Sequence, residues 1–174
     1  MSEDAAPLGS GRAYEAARLR WAGETDAARL AALWRVGRDA DGADPSGEDE
    51  AGMRAWLADG GAVVLEDDRG EALCALRWRW QGGGWHLDRI ATRPDARGQG
   101  FGRWLMTKLE ALAIKRAVPH LTLDLPADHA DLRAYYLRLG YRDAGTEAGA
   151  VRMRKRVGGV WQRQTDAAPH EATP

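Results

Sequence analysis

The chain has 174 residues, 44% apolar and 29% charged, which is ordinary globular usage and enough for one substantial core. A formal net charge of −1 offers no overall field for nucleic acid or an anionic membrane, so neither is expected as a partner. The single cysteine, Cys74, excludes an internal disulfide and a cysteine-based zinc site, so no metal is expected and the reducing cytoplasm is the expected location. The opening MSEDAAPLGSGR is acidic and polar, unlike a secretory signal, and no apolar stretch is long enough to span a bilayer.

Residues 1–13 and 162–174 are rich in Ala, Gly, Pro and polar residues without periodicity, and are expected to be disordered tails around one domain at 14–161. Residues 18–22 read as a first strand. Thr25 is placed to N-cap a helix whose Leu30, Leu33 and Trp34 share one face, with Gly37 near its end. An acidic run follows, with Asp39, Asp41, Asp44, Glu48, Asp49 and Glu50. It is no calcium loop, because the position that needs glycine is Asp44, followed by Pro45. A second helix at 48–58 should turn Met53, Trp56 and Leu57 inward. Residues 62–66 and 71–80 then form a hairpin about Asp68, Arg69 and Gly70, and a turn at 81–84 leads to a strand at 85–92. Simple alternation puts His86, Asp88, Ile90 and Thr92 on one face of that strand, and Trp85, Leu87, Arg89 and Ala91 on the other.

Between this strand and the next helix stands RGQGFG, that is Arg97, Gly98, Gln99, Gly100, Phe101 and Gly102. Such a run brings backbone N–H groups and the positive end of a helix dipole to one point, and three glycines let a phosphate approach closely. No Gly-Lys-Ser/Thr is present and the glycine spacing is not that of a dinucleotide fingerprint, so a nucleoside triphosphate is not the expected ligand. The run reads as a pyrophosphate cradle. The helix from Phe101 carries Leu105, Leu109 and Leu112 inward and must stop by Pro119. LTLDL at 121–125 reads as a buried strand. HADLRAYYLRLGY at 129–141 reads as a helix with Leu132, Leu137 and Leu139, closed by Gly140. Strands near 141–146 and 150–156 complete a mixed α/β sheet.

The stretch WHLDRIATRPDARGQGFG at 85–102 resembles the acyl-CoA-binding motif of the GNAT superfamily of N-acyltransferases, with Arg97, Gly100 and Gly102 at its three defining positions. The 129–141 segment resembles the superfamily's closing motif, Tyr135 and Tyr136 being its aromatic-Tyr pair and Gly140 with Tyr141 its ending. A looser similarity extends from about Leu19 to Val157. The resemblance implies an α/β fold with a mixed, mostly antiparallel central sheet of about six to seven strands flanked by about four helices. It also implies acetyl-CoA as co-substrate and an amine acceptor, small molecule or protein, for a monomer or homodimer. Ile90, Ala91 and Thr92 would pair through their backbone with the pantetheine arm. Arg97, Gly98, Gln99, Gly100, Phe101, Gly102 and Arg103 would hold the pyrophosphate. Two positions depart from the pattern: Thr92 stands where Val is common, and His129 stands where many members carry an Asn that touches CoA. The imidazole either replaces that contact or the contact is lost.

His86 falls where several superfamily members place a catalytic glutamate, and Asp88 lies one step further along the strand. A base is useful because an amine with lysine's pKa is neutral in only roughly one part in a thousand at pH 7. His86 is expected to act as that base or to hold a relay water, with Asp88 contributing; the alternative for both is an ordinary hydrogen-bonded strand residue. Tyr136 matches the tyrosine that assists thiolate departure. A phenol near pKa 10 facing a thiol near 8.5 makes hydrogen-bond stabilisation with late transfer the reasonable role, and Tyr135 the packing partner. Cys74 is no candidate for a covalent relay. The acidic run either draws a cationic amine or is a solvated loop, and Trp78 and Trp80 either line an acceptor pocket or pack in the core.

Overall fold

The computed structural model describes residues 17–39 and 49–157. The expected tails and most of the acidic run, including Asp41, Asp44 and Glu48, lie outside the described residues. In chain order the elements are β1 (Arg18–Trp21), a 3₁₀ turn (Glu24–Asp26), α1 (Ala27–Asp39), α2 (Glu50–Asp59), β2 (Gly61–Glu66), β3 (Ala72–Gln81) and β4 (Gly84–Thr92). A second 3₁₀ turn (Pro94–Ala96) leads to α3 (Phe101–Lys115), β5 (His120–Pro126), α4 (Ala130–Arg138), β6 (Arg142–Glu147) and β7 (Ala150–Arg156).

The strands form one seven-stranded sheet in the order β1-β2-β3-β4-β5-β7-β6. Neighbours are antiparallel except β4 and β5, whose parallel pairing requires the crossover that α3 supplies. Helices cover both faces. One core cluster gathers Leu76, Trp78, Leu87, Leu121, Leu123 and Met153 from the sheet against Phe101, Leu105, Met106 and Leu109 of α3 and Tyr136 of α4. The other packs Val64, Ala75 and Ala91 against Leu30, Leu33 and Trp34 of α1 and Met53 of α2. The buried leucines each contribute about 1.5–3 kcal/mol. Small residues on the second face let α1 lie against β3 and β4, and α2 packs on α1.

Thr25 does not cap α1. The chain enters it through the 3₁₀ turn, where Asp26 accepts the Gly23 N–H at 2.9 Å and pairs with Arg20 at 2.6 Å. Arg20 and Arg29 also hold Glu66, so two arginines and two buried carboxylates tie β1, β2 and α1 together. α2 starts two residues later than the pattern suggests because Asp49 caps it, accepting from Gly52 N–H at 2.8 Å.

Two glycines set the geometry around the site. At Gly84, where β4 begins, a Cβ would lie 2.4 Å from the His120 carbonyl oxygen, so only glycine lets β4 and β5 meet there. Gly140, at φ 90°, ends α4 in a Schellman motif: Tyr141 N–H bonds the Tyr136 carbonyl at 3.0 Å and Gly140 N–H bonds that of Leu137 at 3.0 Å. The buried Tyr141 ring then packs on Tyr136 at 5.5 Å between centroids.

Candidate active site

β4 and β5 pair only over Trp85–Leu121, His86–Thr122 and Leu87–Leu123. Past Leu87 they part, and among the described residues no strand lies beside the β5-facing edge of β4. The gap is the mouth of a cleft of about 550 Å³. Ile90, Ala91, Thr92 and Arg97 line it together with Asp88, Asp124, Trp34 and Tyr136. A strand edge bordering a cleft offers backbone donors and acceptors to an extended amide-bearing chain.

The glycine turn closes one end. Buried Ala96 and Phe101 pin it to the core, and Gly98 (φ 72°) and Gly100 (φ 83°) give it the left-handed backbone it needs. Gly100 is the N-cap of α3 and supplies no side chain; the first helical bond there runs from Trp104 N–H to the Gly100 carbonyl at 3.0 Å. Gly102 is informative for a different reason. It lies within the helix, where glycine costs about 1 kcal/mol against alanine, yet a Cβ there would meet only Thr92 Oγ1 at an ordinary 3.7 Å. Nothing in the protein's own packing requires it, and what it preserves is open space over the helix N-terminus. That opening, with Arg97 beside it, fits a pyrophosphate. Arg97 reaches back to the Thr92 carbonyl at 3.4 Å and Gln99 to the Asp95 carbonyl at 3.0 Å, while Arg103 is exposed. Phe101 is buried, so its part in the turn is structural apart from its backbone. His129 is the N-cap residue of α4 without a side-chain cap bond, and it does not belong to the cleft wall.

Simple alternation does not hold along the whole of β4. Opposite β3, Arg77 pairs with Arg89 but Trp78 pairs with Leu87, so Asp88 is an extra residue at a β-bulge. One added residue reverses the alternation beyond it. His86 and Asp88 point toward the α1–α2 side, whereas Ile90 packs on the opposite core with Trp85 and Leu87, and Thr92 bonds Cys74 Sγ at 3.3 Å. His86 and Asp88 therefore share a face, as simple alternation implies, but Ile90 and Thr92 do not share it.

Behind the cleft mouth lies a polar group of side chains that four strands assemble. Arg77 on β3 is buried, with its guanidinium 4.5 Å from the Trp56 ring and 5.6 Å from Trp34, and its Nε donates to Asp88 Oδ2 at 2.6 Å. Arg152 on β7 donates to both oxygens of Asp124 on β5, at 2.8 and 2.9 Å. The hydrogen bonds and charge of Arg152 hold the Asp124 carboxyl below the usual range. His86 is buried between them. Its Nδ1 is 3.1 Å from Thr122 Oγ1 and its Nε2 is 4.0 Å from Asp124 Oδ2. Burial pushes the imidazole below its ordinary value against the opposing pull of Asp124, so it is neutral at pH 7. His86 does not line the cleft itself; Asp88 and Asp124 do. Asp124, Arg77 and Arg152 are not singled out by the sequence patterns above. The signal for Asp124 is nonetheless present in LTLDL, where Thr122 and Asp124 alternate with three leucines.

Tyr136 reaches the cleft from α4, buried to 7% exposure, with Tyr135 edge-on at 5.2 Å. Burial drives its phenol well above the ordinary value, and among the described residues its hydroxyl has no hydrogen-bond partner. It remains protonated and available as a donor. Tyr135 is half-buried against the core. Cys74 is fully buried and its thiol is pushed up to about 11, which rules out a thiolate relay. Trp78 is buried in a stack with Trp21 and Trp85, and Trp80 is exposed; neither lines the cleft. The tryptophan that does is Trp34, whose buried indole N–H has no partner among the described residues.

Residues 16–141 match the family model described as the acetyltransferase (GNAT) family. No curated protein matches the chain. Among solved structures, the ribosomal-protein-S18-alanine N-acetyltransferase from Escherichia coli is 21% identical with a TM-score of 0.71, over 84% of this chain and 97% of that one. A GNAT-family acetyltransferase from Listeria monocytogenes 4b F2365 is 20% identical with a TM-score of 0.70, over 80% and 94%. The phosphinothricin acetyltransferase from Sinorhizobium meliloti, solved in complex with AcCoA, is 19% identical with a TM-score of 0.65, over 82% and 89%. These likenesses carry the fold. The span that the family model matches holds the glycine turn, the strand splay and Tyr136 together, and the chain belongs to the acetyltransferase (GNAT) family.

Proposed function

We propose that this protein transfers an acetyl group from acetyl-CoA to a primary amine by direct attack of the amine on the thioester. The observation that carries this reading is a single cleft that joins the glycine turn, the unpaired edge of β4, and Tyr136 with two carboxylates. The α3 N-terminus and Arg97 bind the pyrophosphate, and Ile90, Ala91 and Thr92 hold the pantetheine arm through their backbone. Tyr136 donates a hydrogen bond to the departing sulfur. Its raised pKa makes stabilisation of the thiolate, rather than early proton transfer, its contribution. Buried, neutral His86 stands behind the cleft wall and takes the amine's proton through a relay water, with Asp88 fixed nearby as a carboxylate contact. Most of the rate enhancement comes from alignment in the cleft.

The test is a panel of primary amines, spanning small amines, amino acids and peptides, incubated with acetyl-CoA. Thiol release and acetylated product are measured together. Stoichiometric appearance of both supports the reading. Tight acetyl-CoA binding without turnover on any amine would replace it with a non-catalytic acyl-CoA-binding module.

A further inference from the structure

The two sides of the sheet are covered unequally. On the side that holds His86 and Asp88, α1 rests on β3 and β4 and α2 rests on α1, and the core there takes no residue from β5, β6 or β7. Strand register fixes which side chains that open stretch carries. His120, Thr122 and Asp124 of β5 stand opposite Arg156, Arg154 and Arg152 of β7, and Thr122 touches His86, so all of them share the face. Arg79 of β3 joins them, since it pairs with His86. Against these four arginines β5 and β7 set one carboxylate, Asp124, which Arg152 already binds through both oxygens, and Asp88 on β4 is bound by Arg77. Arg79, Arg154 and Arg156 are exposed, and among the described residues the Arg156 side chain makes no hydrogen bond or ion pair.

This basic face is continuous with the cleft. Asp124 lines both the cleft and a second groove of about 400 Å³, which passes Thr146, Glu147 and Arg152 along the β6–β7 hairpin. Moving away from the cleft along β7, Arg154 lies two residues beyond Arg152, with Arg79 in the same cross-strand row, and Arg156 lies two residues further. Each such step is roughly 7 Å, which is also the separation of alternate side chains on an extended peptide. His120 steadies Arg154, its Nδ1 lying 3.0 Å from the guanidinium Nη2. Burial and the charges of Arg154 and Arg156 keep that imidazole below its ordinary value, so at pH 7 it accepts from Arg154 and adds no charge.

We infer that this face receives an acidic stretch of a protein or peptide acceptor whose N-terminal amine lies in the cleft, with carboxylates at its third and fifth residues for Arg154 and Arg156. The inference rests on the amine-acetylation reading above and names its substrate class. An extended chain whose first residue is level with Asp124 brings its third level with Arg154 and its fifth level with Arg156, and turns the second and fourth away from the sheet. A small amine would use none of these groups. Single-stranded nucleic acid is another polyanion, but a sheet that takes it supplies aromatic rings for base stacking. β5, β6 and β7 contain no Phe, Tyr or Trp, and Trp78, Trp80 and Trp85 of β3 and β4 alternate onto the other side.

The experiment measures kcat/KM of the full chain on peptides of one length with a serine N-terminus and Gly-Ser filler. They carry aspartate at the third and fifth positions, aspartate at the second and fourth, or asparagine at the third and fifth. Aspartate at the third and fifth should exceed asparagine there by roughly five- to tenfold, the scale of two exposed arginine–carboxylate pairs, and the advantage should shrink in about 0.5 M salt. Arg154→Gln/Arg156→Gln should erase the preference and leave the asparagine peptide within about twofold. Arg156→Gln alone, which breaks no side-chain bond among the described residues, should remove a two- to threefold share of it, on the order of one exposed pair. Equal rates on acidic and asparagine peptides, an equal gain from aspartate at the second and fourth positions, or a preference that survives the double variant would each overturn the inference. So would turnover of small amines with none of any peptide, or an oligouridine that binds more tightly than the acidic peptide and displaces it. Should the wild type acetylate no amine, the functional reading fails separately. Fluorescence anisotropy of the acidic peptide, N-acetylated and labelled at its C-terminus, then decides the surface: binding that the double variant weakens at least about threefold supports it, and equal or absent binding defeats it.

Discussion

The two ends of the cleft are built by different means. The turn at 97–103 is a product of local chemistry: left-handed glycines, a helix N-terminus and two buried anchors, all within a few residues. The polar end gathers side chains from several strands; His86 and Asp88 share a face by simple alternation, and the β-bulge at Asp88 turns Ile90 to the other. A backbone site tolerates most changes that leave glycine and the fold alone. A side-chain site assembled across a sheet fails through any one of its members, and the failures differ in kind.

The largest effect is expected at the turn. Gly100→Glu forces a side chain into a φ of 83° and places a like charge where the pyrophosphate would sit. Acetyl-CoA affinity should fall by about 100-fold or more in a folded variant, as read by calorimetry. Unchanged affinity would remove the cradle assignment. At the other end, Arg77→Met should act on folding. It strips Asp88 of a buried partner and leaves the Trp34 and Trp56 rings without their cation, so stability should drop by about 2–3 kcal/mol in urea titrations. The carboxylate's partial exposure keeps the loss below that of a fully buried pair.

Tyr136→Phe retains the ring and deletes the donor. Turnover should fall roughly tenfold to a few hundredfold with little change in acetyl-CoA affinity. A parallel loss of stability would instead mark Tyr136 as a packing residue beside Tyr141. His86 supplies a smaller, pH-dependent effect. Its folded-state pKa lies below the unfolded value, so the fold favours neutral imidazole. That stability is present above about pH 6.5 and is lost as pH falls through the depressed value. Between pH 6.5 and 5, thermal melts of His86→Gln should decline less than those of the wild type, and identical slopes would count against burial as the cause. The smallest effect belongs to Tyr135→Phe, which should change turnover by less than about twofold, since consecutive helical side chains diverge by about 100°.

Much of the first end is legible in the amino-acid sequence alone. Gly98, Gly100 and Gly102 announce themselves because backbone conformation is decided by the residue that adopts it. Tyr136, Gly140 and Tyr141 are readable for the same reason, since the Schellman closure of α4 spans six residues. Thr25 misleads as a cap because Asp26, one residue later, has a stronger claim: its carboxylate is bound both by the Gly23 N–H and by Arg20, a partner that only the folded sheet supplies.

By itself the sequence determined the α/β layering, the turn at 97–102 and the tyrosine on α4, since periodicity, glycine placement and helix capping are local and short-ranged. Tertiary structure alone decided that Asp88 would be the bulged residue, that Ile90 and Thr92 would leave its face, and that Asp124 would meet His86. Those outcomes turn on strand register, which is fixed by the packing of two cores on opposite faces of one sheet. A shift of one residue there exchanges the faces of the side chains beyond it, and the registers that set β4 against β3 and β5 come from the packing of the whole sheet.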